Sequence, residues 1–430
     1  MARFDASICQ APQWIPGYQW RANRAEERIF TVSVVFDAFH PAHRANPYPR
    51  YAAIREHTAL YQLQPNIHLA TRYAEVAAVL ADPDWGHGYE DGINPFRPGV
   101  APDDVPGGIV RMDPPEHTRV RALVNRLFTA RNTDGIRSLV ERRVRELLDK
   151  AIEAGEVELM EAFARPLPLS IIAELLGIPR ADYRQVMSWS LALVRGTDPD
   201  MLQTAEQLAR RDKAKVEFEA YCADLIEQRR KDRRDDILSR LAQALESGIA
   251  SNEELGALGV ALLIGAYETA SDLIGKGVVA LLRDPAQIAR WRERPDLAPS
   301  GAEEVIRYEP PILLTHRVAL KDKELAGRTF SRGDGVVIVL AAANRDPAVY
   351  NDPDRLDITR FAGSAPPPRP LSFGGGVHFC LGAHLGRLEV QLALDALLRR
   401  APALALAGEP VWRDTVAFHG LDALRVRLRA

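Results

Sequence analysis

Residues 373–382 read Phe-Gly-Gly-Gly-Val-His-Phe-Cys-Leu-Gly, and this stretch decides the fold of the chain. Three consecutive glycines allow the backbone to approach a flat, bulky group closely, because they carry no side chain. A helical pattern begins near Ala383, so Cys380 is expected at the N-terminal end of a helix. The stretch therefore predicts a cysteine held beside a bound group.

The position of Cys380 indicates a metal ligand. A helix N-terminus stabilises an anion by roughly 0.3–1 kcal/mol, which is less than about one pKa unit, whereas a metal deprotonates a coordinating thiol outright. Zinc sites and iron–sulfur clusters need several closely spaced thiolates or imidazoles, and no second cysteine is near. A single thiolate on haem iron fits best. A free cysteine buried after a glycine-rich turn is the alternative.

The stretch closely resembles the haem-ligand loop of the cytochrome P-450 monooxygenases, Phe-Gly-x-Gly-x-His-x-Cys-x-Gly, with every fixed position matched. The resemblance implies a mainly α (α+β), single-domain cytochrome P-450 fold with small β sheets and a buried haem b. It also implies that Cys380 is the metal ligand and that Phe373 and His378 bind the cofactor. For His378 alone, a hydrogen-bonded structural histidine is the alternative.

The composition is that of a soluble globular protein. The 430 residues carry a formal net charge of −3, with 47% hydrophobic and 26% charged residues, so the basic balance of a nucleic-acid-binding protein is absent. No signal-like N-terminus and no run of roughly 18 apolar residues is found, from which we expect a cytoplasmic protein without membrane association. Cys9, Cys222 and Cys380 are too few and too scattered for a disulfide framework.

No linker or internal repeat divides the chain. We expect residues 45–430 to form one haem-thiolate domain, and residues 1–44 are an N-terminal extension without an assigned role. Residues 82–115 are dense in Gly, Pro and Asp, which predicts a long loop that either walls a substrate pocket or lies on the surface. The mixed charges of residues 227–236 are interpreted as a solvated helix end.

Hydrophobic periodicity predicts mostly helices and a few short strands. Helices are predicted over about 72–80, 133–154, 161–176, 180–195 and 200–230, with others beginning near Pro47 and Glu116, and strands over 60–63, 67–70, 313–320 and 336–340.

The longest helical pattern runs over residues 251–282, and Ser251 with Glu254 forms a capping-box signature at its start. Its centre is apolar except for Glu268 and Thr269, and a helix of this kind is normally buried. Buried polar groups without partners cost roughly 1–3 kcal/mol each. A threonine that hydrogen-bonds to the carbonyl one turn back distorts a helix and opens a groove.

The same centre resembles the oxygen-binding motif of the cytochrome P-450 family, Ala/Gly-Gly-x-Asp/Glu-Thr. The resemblance implies that Thr269 and Glu268 are catalytic, relaying protons, and that Gly265 lies beside the cofactor. The chain departs from the motif at Ala266, where a second glycine is usual. The motif therefore does not predict how wide the groove is in this chain.

Three further residues, with His378, match family positions that bind the haem propionates. His117 and Arg121 lie one turn apart on a predicted helix, and Arg317 lies in a predicted strand. The planar fork of an arginine suits a carboxylate. Taken alone, His117 and Arg121 would be a solvated pair.

Glu304 and Arg307 are also one turn apart on a predicted helix. Alone, such a pair contributes only about 0.2–0.5 kcal/mol. It resembles the Glu-x-x-Arg pair with which the family braces its cysteine loop, so we interpret the pair as structural.

The resemblance implies that O₂ is activated to hydroxylate or otherwise oxidise a small organic substrate, with a secondary metabolite expected. The chain has no flavin-binding or ferredoxin-like segment, so electrons from NAD(P)H would arrive indirectly, through a separate ferredoxin or flavodoxin that docks near Arg126, Arg131 and Arg387. A monomer is expected. The alternatives are a haem-thiolate oxidase for oxidative coupling, ring formation or peroxide-driven oxidation, and a non-catalytic haem sensor or carrier.

Overall fold

The computed structural model describes residues 43, 45–97, 108–195, 198 and 203–429. Cys9 and most of the predicted N-terminal extension lie outside these residues, as does part of the loop predicted over 82–115. The described chain is mainly helical. Its α-helices are α1 Tyr48–His57, α2 Tyr73–Ala81, α3 Glu116–Asn125, α4 Ala130–Gly135, α5 Arg137–Ala154, α6 Pro166–Leu176, α7 Tyr183–Arg195, α8 Ala205–Lys231, α9 Ile237–Glu246, α10 Asn252–Leu282, α11 Pro285–Glu293, α12 Ala298–Tyr308, α13 Leu340–Ala343 and α14 Ala383–Arg400.

The strands are short and form small sheets. They are β1 Leu60–Gln64, β2 Ile67–Ala70, β3 Trp85–Gly86, β4 Glu156–Glu158, β5 Thr315–Ala319, β6 Lys323–Leu325, β7 Arg328–Phe330, β8 Gly335–Ile338, β9 Ala405–Leu406, β10 Val411–Trp412, β11 Leu421–Ala423 and β12 Arg425–Arg427.

The largest sheet has five strands in the order β1-β2-β8-β5-β3. Strand β2 is antiparallel to β1 and parallel to β8, and all four of its residues are buried. Strand β5 is antiparallel to β8, with Arg317 opposite Val336. The remaining sheets are β4-β12-β9, β10-β11 and β6-β7. The predicted mainly α fold with small sheets is confirmed.

Several predicted helices differ from the observed ones near proline or glycine. The helix predicted over 161–176 begins with a π-helical turn, Met160–Ala164, and α6 starts at Pro166, because proline has no N–H and is tolerated only in a first helical turn. Similarly, Arg180–Asp182 is a 3₁₀ turn before α7. The helix predicted over 133–154 is two helices, α4 and α5, which meet at Gly135.

Helix α10 crosses the centre of the molecule. The capping box of Ser251 and Glu254 is present, and every residue from Ala270 to Leu281 is buried. Its length and apolar composition would suffice to cross a membrane, but 67% of its most apolar window is buried inside the protein. The helix is the core helix that the sequence predicts.

The interpretation of residues 227–236 as a solvated helix end is wrong for two of them. Arg229 donates from Nε to Asp236 at 2.7 Å and from Nη2 to the carbonyl of Gly177 at 2.7 Å, and both charged side chains are almost fully buried. Asp236 also caps α9 by accepting a hydrogen bond from the N–H of Ser239 at 2.7 Å. The pair is buried because three elements meet there, which a local charge pattern does not reveal.

Candidate functional site

The cysteine loop, residues 373–382, is held between α2 and α14. Gly376 has a φ of +60°, and a Cβ there would be 2.1 Å from the carbonyl oxygen of Leu80, so no side chain fits. The N–H of Cys380 donates to the carbonyl of Phe373 at 2.9 Å, which closes the loop. Helix α14 then begins at Ala383, as predicted.

The thiol of Cys380 is free of any disulfide. Burial raises its pKa, opposed by a hydrogen bond with the backbone of Gly382 and by the positive charges of Arg121 and Arg387. The protein alone therefore leaves this thiol protonated at neutral pH, and a thiolate here requires a metal, as the sequence argument predicts. The ring of Phe373 lies under the Arg387 guanidinium, 4.4 Å from its centroid.

A buried ion pair holds the start of the cysteine loop. Arg307 donates from Nε and Nη2 to the two carboxylate oxygens of Glu304 at 2.7 and 2.8 Å, and from Nη1 to the carbonyl of Asn344 at 2.8 Å. The Asn344 side chain in turn accepts from the N–H of Leu371 at 2.7 Å and donates to Ser372 at 2.8 Å. The pair is structural, as predicted. It holds Asn344, and Asn344 holds the start of the cysteine loop.

The four residues predicted to hold propionates are close together. The rings of His117 and His378 have centroids 4.2 Å apart, and Arg121 donates to two carbonyls of the cysteine loop, including that of Val377 at 3.0 Å. Burial and the nearby positive charges of Arg317 and Arg121 lower the pKa of His117 to about 4 and that of His378 to about 3. The four side chains form one positively charged cluster beside Cys380.

This cluster fits the carboxylates of haem b. Both ring nitrogens of His117 and the Nε2 of His378 are buried without a hydrogen-bond partner among the described residues, a state that costs roughly 1–3 kcal/mol per group. A Cβ on Gly265 or Gly382 would have no atom within 4 Å, so open space faces α10 and the start of α14. A propionate would accept the one N–H that each neutral imidazole carries, and the open space would leave room for a flat ring.

Three residues that the sequence analysis missed extend this cluster. The ring of His87 lies 5.1 Å from that of His378 and 5.8 Å from that of His316. The guanidinium of Arg111 is 3.1 Å from the Nε2 of His316. Of the three, only His316 could have been found from the sequence, because it adjoins Arg317. The three residues come from separate segments of the chain.

Thr269 makes the side-chain hydrogen bond predicted for the centre of α10. Its hydroxyl donates to the carbonyl of Gly265 at 2.7 Å, which confirms the predicted hydrogen bond one turn back. Ala266, the departure from the family motif, is half-buried and packs against the main core. The open space beside α10 therefore lies on the Gly265 side.

Glu268 faces a buried arginine that the sequence did not indicate. Arg413 lies 3.6 Å from the Glu268 carboxylate, donates to both oxygens of Asp272 at 3.0 and 3.2 Å, and lies 3.5 Å from Asp422. Burial raises the pKa of Glu268 to about 7, opposed by the charge of Arg413. A carboxyl group with this pKa can both give and take a proton near neutral pH, and Asp422 is one-third exposed to solvent.

Comparison with known proteins agrees with this geometry. The sequence profile of the family described as Cytochrome P450 matches residues 300–402. The chain is 36% identical to the cytochrome P450 monooxygenase PikC of Streptomyces venezuelae, over 90% of this chain and 92% of that protein. It is also 36% identical to the polyketide biosynthesis cytochrome P450 PksS of Bacillus subtilis, over 76% of this chain and 79% of that protein.

The fold is likewise similar to solved structures. The ligand-free crystal structure of CYP164A2 from Mycobacterium smegmatis matches with a TM-score of 0.84 and 33% sequence identity, covering 92% of this chain and 99% of that one.

Proposed function

The chain belongs to the cytochrome P450 family, and we propose that it oxidises a small secondary metabolite of the polyketide kind with electrons from a separate ferredoxin or flavodoxin. The family membership rests on relatives that match nearly the whole chain. As a haem-thiolate monooxygenase it uses haem b and O₂, with NAD(P)H as the indirect electron source. The polyketide class is supported by the likeness to PksS.

We assign the cofactor-binding residues as follows. Cys380 would supply the thiolate ligand of the haem iron, and the bound haem would supply the oxidising chemistry. His117, Arg121, Arg317 and His378 would hold the propionates. Phe373 and Gly265 would lie beside the haem.

Proton delivery is the task of Thr269 and Glu268. The observation that carries this proposal is the hydrogen bond from Thr269 to Gly265 at 2.7 Å beside open space, because it keeps a hydroxyl at the groove. Glu268 lies next to it, and its pKa of about 7 suits proton transfer. Arg413 lies between Glu268 and the partly exposed Asp422. The arginine stays protonated and holds Glu268 near the side from which solvent protons would arrive.

Thr269→Ala is expected to divert reducing equivalents from product into free hydrogen peroxide. General acid–base catalysis contributes about 10²- to 10⁴-fold, or roughly 3–5 kcal/mol, and the variant should lose much of it while it binds haem and substrate normally. The measurement is product formed per NAD(P)H oxidised.

Ser271→Ala is the matched control, because Ser271 makes the same kind of hydrogen bond, to Tyr267 at 2.7 Å, but is buried in the core. An unaltered product ratio in Thr269→Ala would show that its hydroxyl is only structural.

A carrier or sensor is less well supported than an enzyme. It would need neither the acid nor the alcohol of α10, which the described helix retains side by side. Oxidative coupling, ring formation and peroxide-driven oxidation would use the same haem site. A peroxide-driven enzyme needs no electron carrier, whereas the proposed monooxygenase does, so the two can be distinguished by their need for a carrier.

The surface around the cysteine loop suits a docking carrier. Val377 and Phe379 are exposed apolar residues, 42% and 38% accessible. Arg126 and Arg131 are exposed nearby, the latter on α4, which packs against α14. An apolar centre with a basic rim matches an acidic ferredoxin or flavodoxin.

We do not include Arg387 among the residues proposed to dock the electron carrier. It donates to both oxygens of Glu303 at 2.6 and 2.9 Å, so its charge is already neutralised by a neighbouring acid. The expectation from sequence that Arg387 contributes to docking is thereby replaced by one that rests on Arg126 and Arg131.

The rate of reduction of the ferric protein by a ferredoxin is expected to fall with ionic strength. The Debye length shrinks from about 10 Å at 0.1 M to about 3 Å at 1 M salt, which weakens charge steering. Stopped-flow single-turnover reduction across a salt series measures this. Arg126→Gln combined with Arg131→Gln should lower both the rate and its salt dependence.

Arg210→Gln, which removes a charge from the exposed face of α8, is the control and should change neither. A salt-insensitive rate, or peroxide supporting turnover as well as ferredoxin and O₂ do, would favour the peroxide-driven alternative.

We further propose that residues 45–430 form one domain, that the protein is a cytoplasmic monomer, and that residues 1–44 lie outside the domain. The substrate pocket is proposed to draw on residues 82–110, 186–198, 262, 264–268, 312–315 and 417–420, of which 98–107 and 196–197 lie outside the described residues.

A further inference from the structure

Four histidines form a continuous row at one end of the haem site. Their ring centroids follow one another at 4.2 Å from His117 to His378, 5.1 Å to His87 and 5.8 Å to His316. His117 and His378 belong to the propionate cluster described above. His87 and His316 continue the row beyond it and end at Arg111, 3.1 Å from the ring of His316.

The outer half of the row has buried polar groups without partners. His87 is 2% exposed, and neither of its ring nitrogens has a hydrogen-bond partner among the described residues. Such groups are costly unless something pairs with them. Burial lowers the pKa of both His87 and His316 well below the usual range, so these rings are neutral and can donate or accept hydrogen bonds.

The charges at this end of the site are unbalanced. Neither Arg111 nor Arg317 forms an ion pair with a carboxylate of another described residue, and the nearest acid, Asp113, accepts hydrogen bonds from the backbone N–H groups of His87 and Gly88 at 2.8–2.9 Å. An arginine keeps its charge when buried, and a buried charge needs a counter-charge. The arginines at this end (Arg111, Arg121 and Arg317, with Arg97 close to Arg111) outnumber Asp113, the acid that acts on Arg317, so further negative charge would offset the excess.

We propose that Arg111, His316 and His87 form a carboxylate-binding corner beside the propionate cluster. A haem propionate supplies the carboxylate, and its negative charge offsets part of the excess of arginines. The planar fork of Arg111 suits a carboxylate, and the two imidazoles supply further donors. A carboxylate on the substrate is the second source of the same chemistry.

The inference rests on the proposed placement of the haem, but its readout is haem retention and not turnover. The experiment measures transfer of haem from the ferric protein to excess apomyoglobin, for protein reconstituted either with haem b or with haem dimethyl ester. Arg111→Leu is expected to speed the loss of haem b by about 10- to 100-fold, the range for a hydrogen-bonded charge pair. Haem dimethyl ester should be lost at the same rate from the variant and from wild type, because it has no carboxylate for Arg111 to bind.

Arg332→Leu is the matched control, because it removes the same charge from an exposed pair with Asp91. It should leave both rates unchanged. If Arg111→Leu does not fold, Arg111→Lys carries the test: it keeps the charge but not the fork, and it is expected to lose haem b at an intermediate rate and the ester at the wild-type rate.

A second measurement separates the two sources of carboxylate. Myristic acid and methyl myristate are titrated into wild type and the Arg111 variant, and binding is followed by the haem absorption spectrum. If haem loss is unchanged but the preference for the acid over the ester falls about tenfold or more, the corner binds a substrate carboxylate. If neither haem loss nor this preference changes, the proposal is wrong.

Discussion

Replacing Cys380 by histidine is expected to abolish the strongly red-shifted Soret band of the reduced, carbon-monoxide-bound protein and to shift it to a histidine-haem position. The band depends on the thiolate ligand, and imidazole donates less electron density to the iron. Oxygen-dependent product formation should fall below detection for the same reason. The measurement is the absorption spectrum of the reduced protein with carbon monoxide, together with product analysis.

Cys222→Ala is the control for this experiment. Cys222 is fully buried in the core, and burial raises the pKa of its thiol far above the usual range, so it is not available as a ligand. Its replacement should leave the spectrum unchanged. A Cys380→His protein that keeps the thiolate spectrum would contradict the assignment of the ligand.

Arg307→Met is expected to destabilise the protein by about 3 kcal/mol, near the lower end of the cost of removing one partner of a buried pair. Glu304 would keep Arg360 and the N–H of Asp357 as partners, but Asn344 would lose the hydrogen bond to its carbonyl. Haem content should fall as well, because Asn344 holds the start of the cysteine loop. Urea unfolding followed by circular dichroism, with haem content per protein, measures both effects.

Two variants make this result specific. Arg210→Met breaks an exposed pair with Glu206 on α8 and should cost at most about 0.5 kcal/mol. Arg307→Lys keeps the charge but not the planar fork, so it should lie between wild type and Arg307→Met. If Arg307→Met were no less stable than Arg210→Met, the cysteine loop would not depend on the pair.

The parts of the site carried by local sequence could be predicted. The cysteine loop and the centre of α10 are each short enough for a motif to specify, and the hydrogen bond from Thr269 to Gly265 follows from helix geometry alone. The same holds for most helices, whose hydrophobic periodicity is set by one buried face. The predicted helix boundaries near proline and glycine differ from the observed ones by a few residues, because the backbone restrictions of these residues compete there with the hydrophobic periodicity.

The parts that depend on distant segments could not be predicted. Arg413 meets Glu268 only because β10 and β11 fold against α10, and nothing near Arg413 in the sequence indicates an acid. Arg229 and Asp236 look like surface charges until α6, α8 and α9 are placed together. The row that ends at Arg111 likewise joins four segments.

The glycines of this site have a consequence for how variant libraries of the protein would behave. At Gly376 the protein itself occupies the space that a side chain would need, so substitutions there should be lost as insoluble protein whether or not haem is supplied. At Gly265 and Gly382 the space is open, and the haem would fill it in the placement proposed above, so substitutions should give soluble but colourless protein. A screen that scores solubility and colour separately would therefore sort the two kinds of glycine, and libraries meant to change substrate range should leave Gly376 fixed.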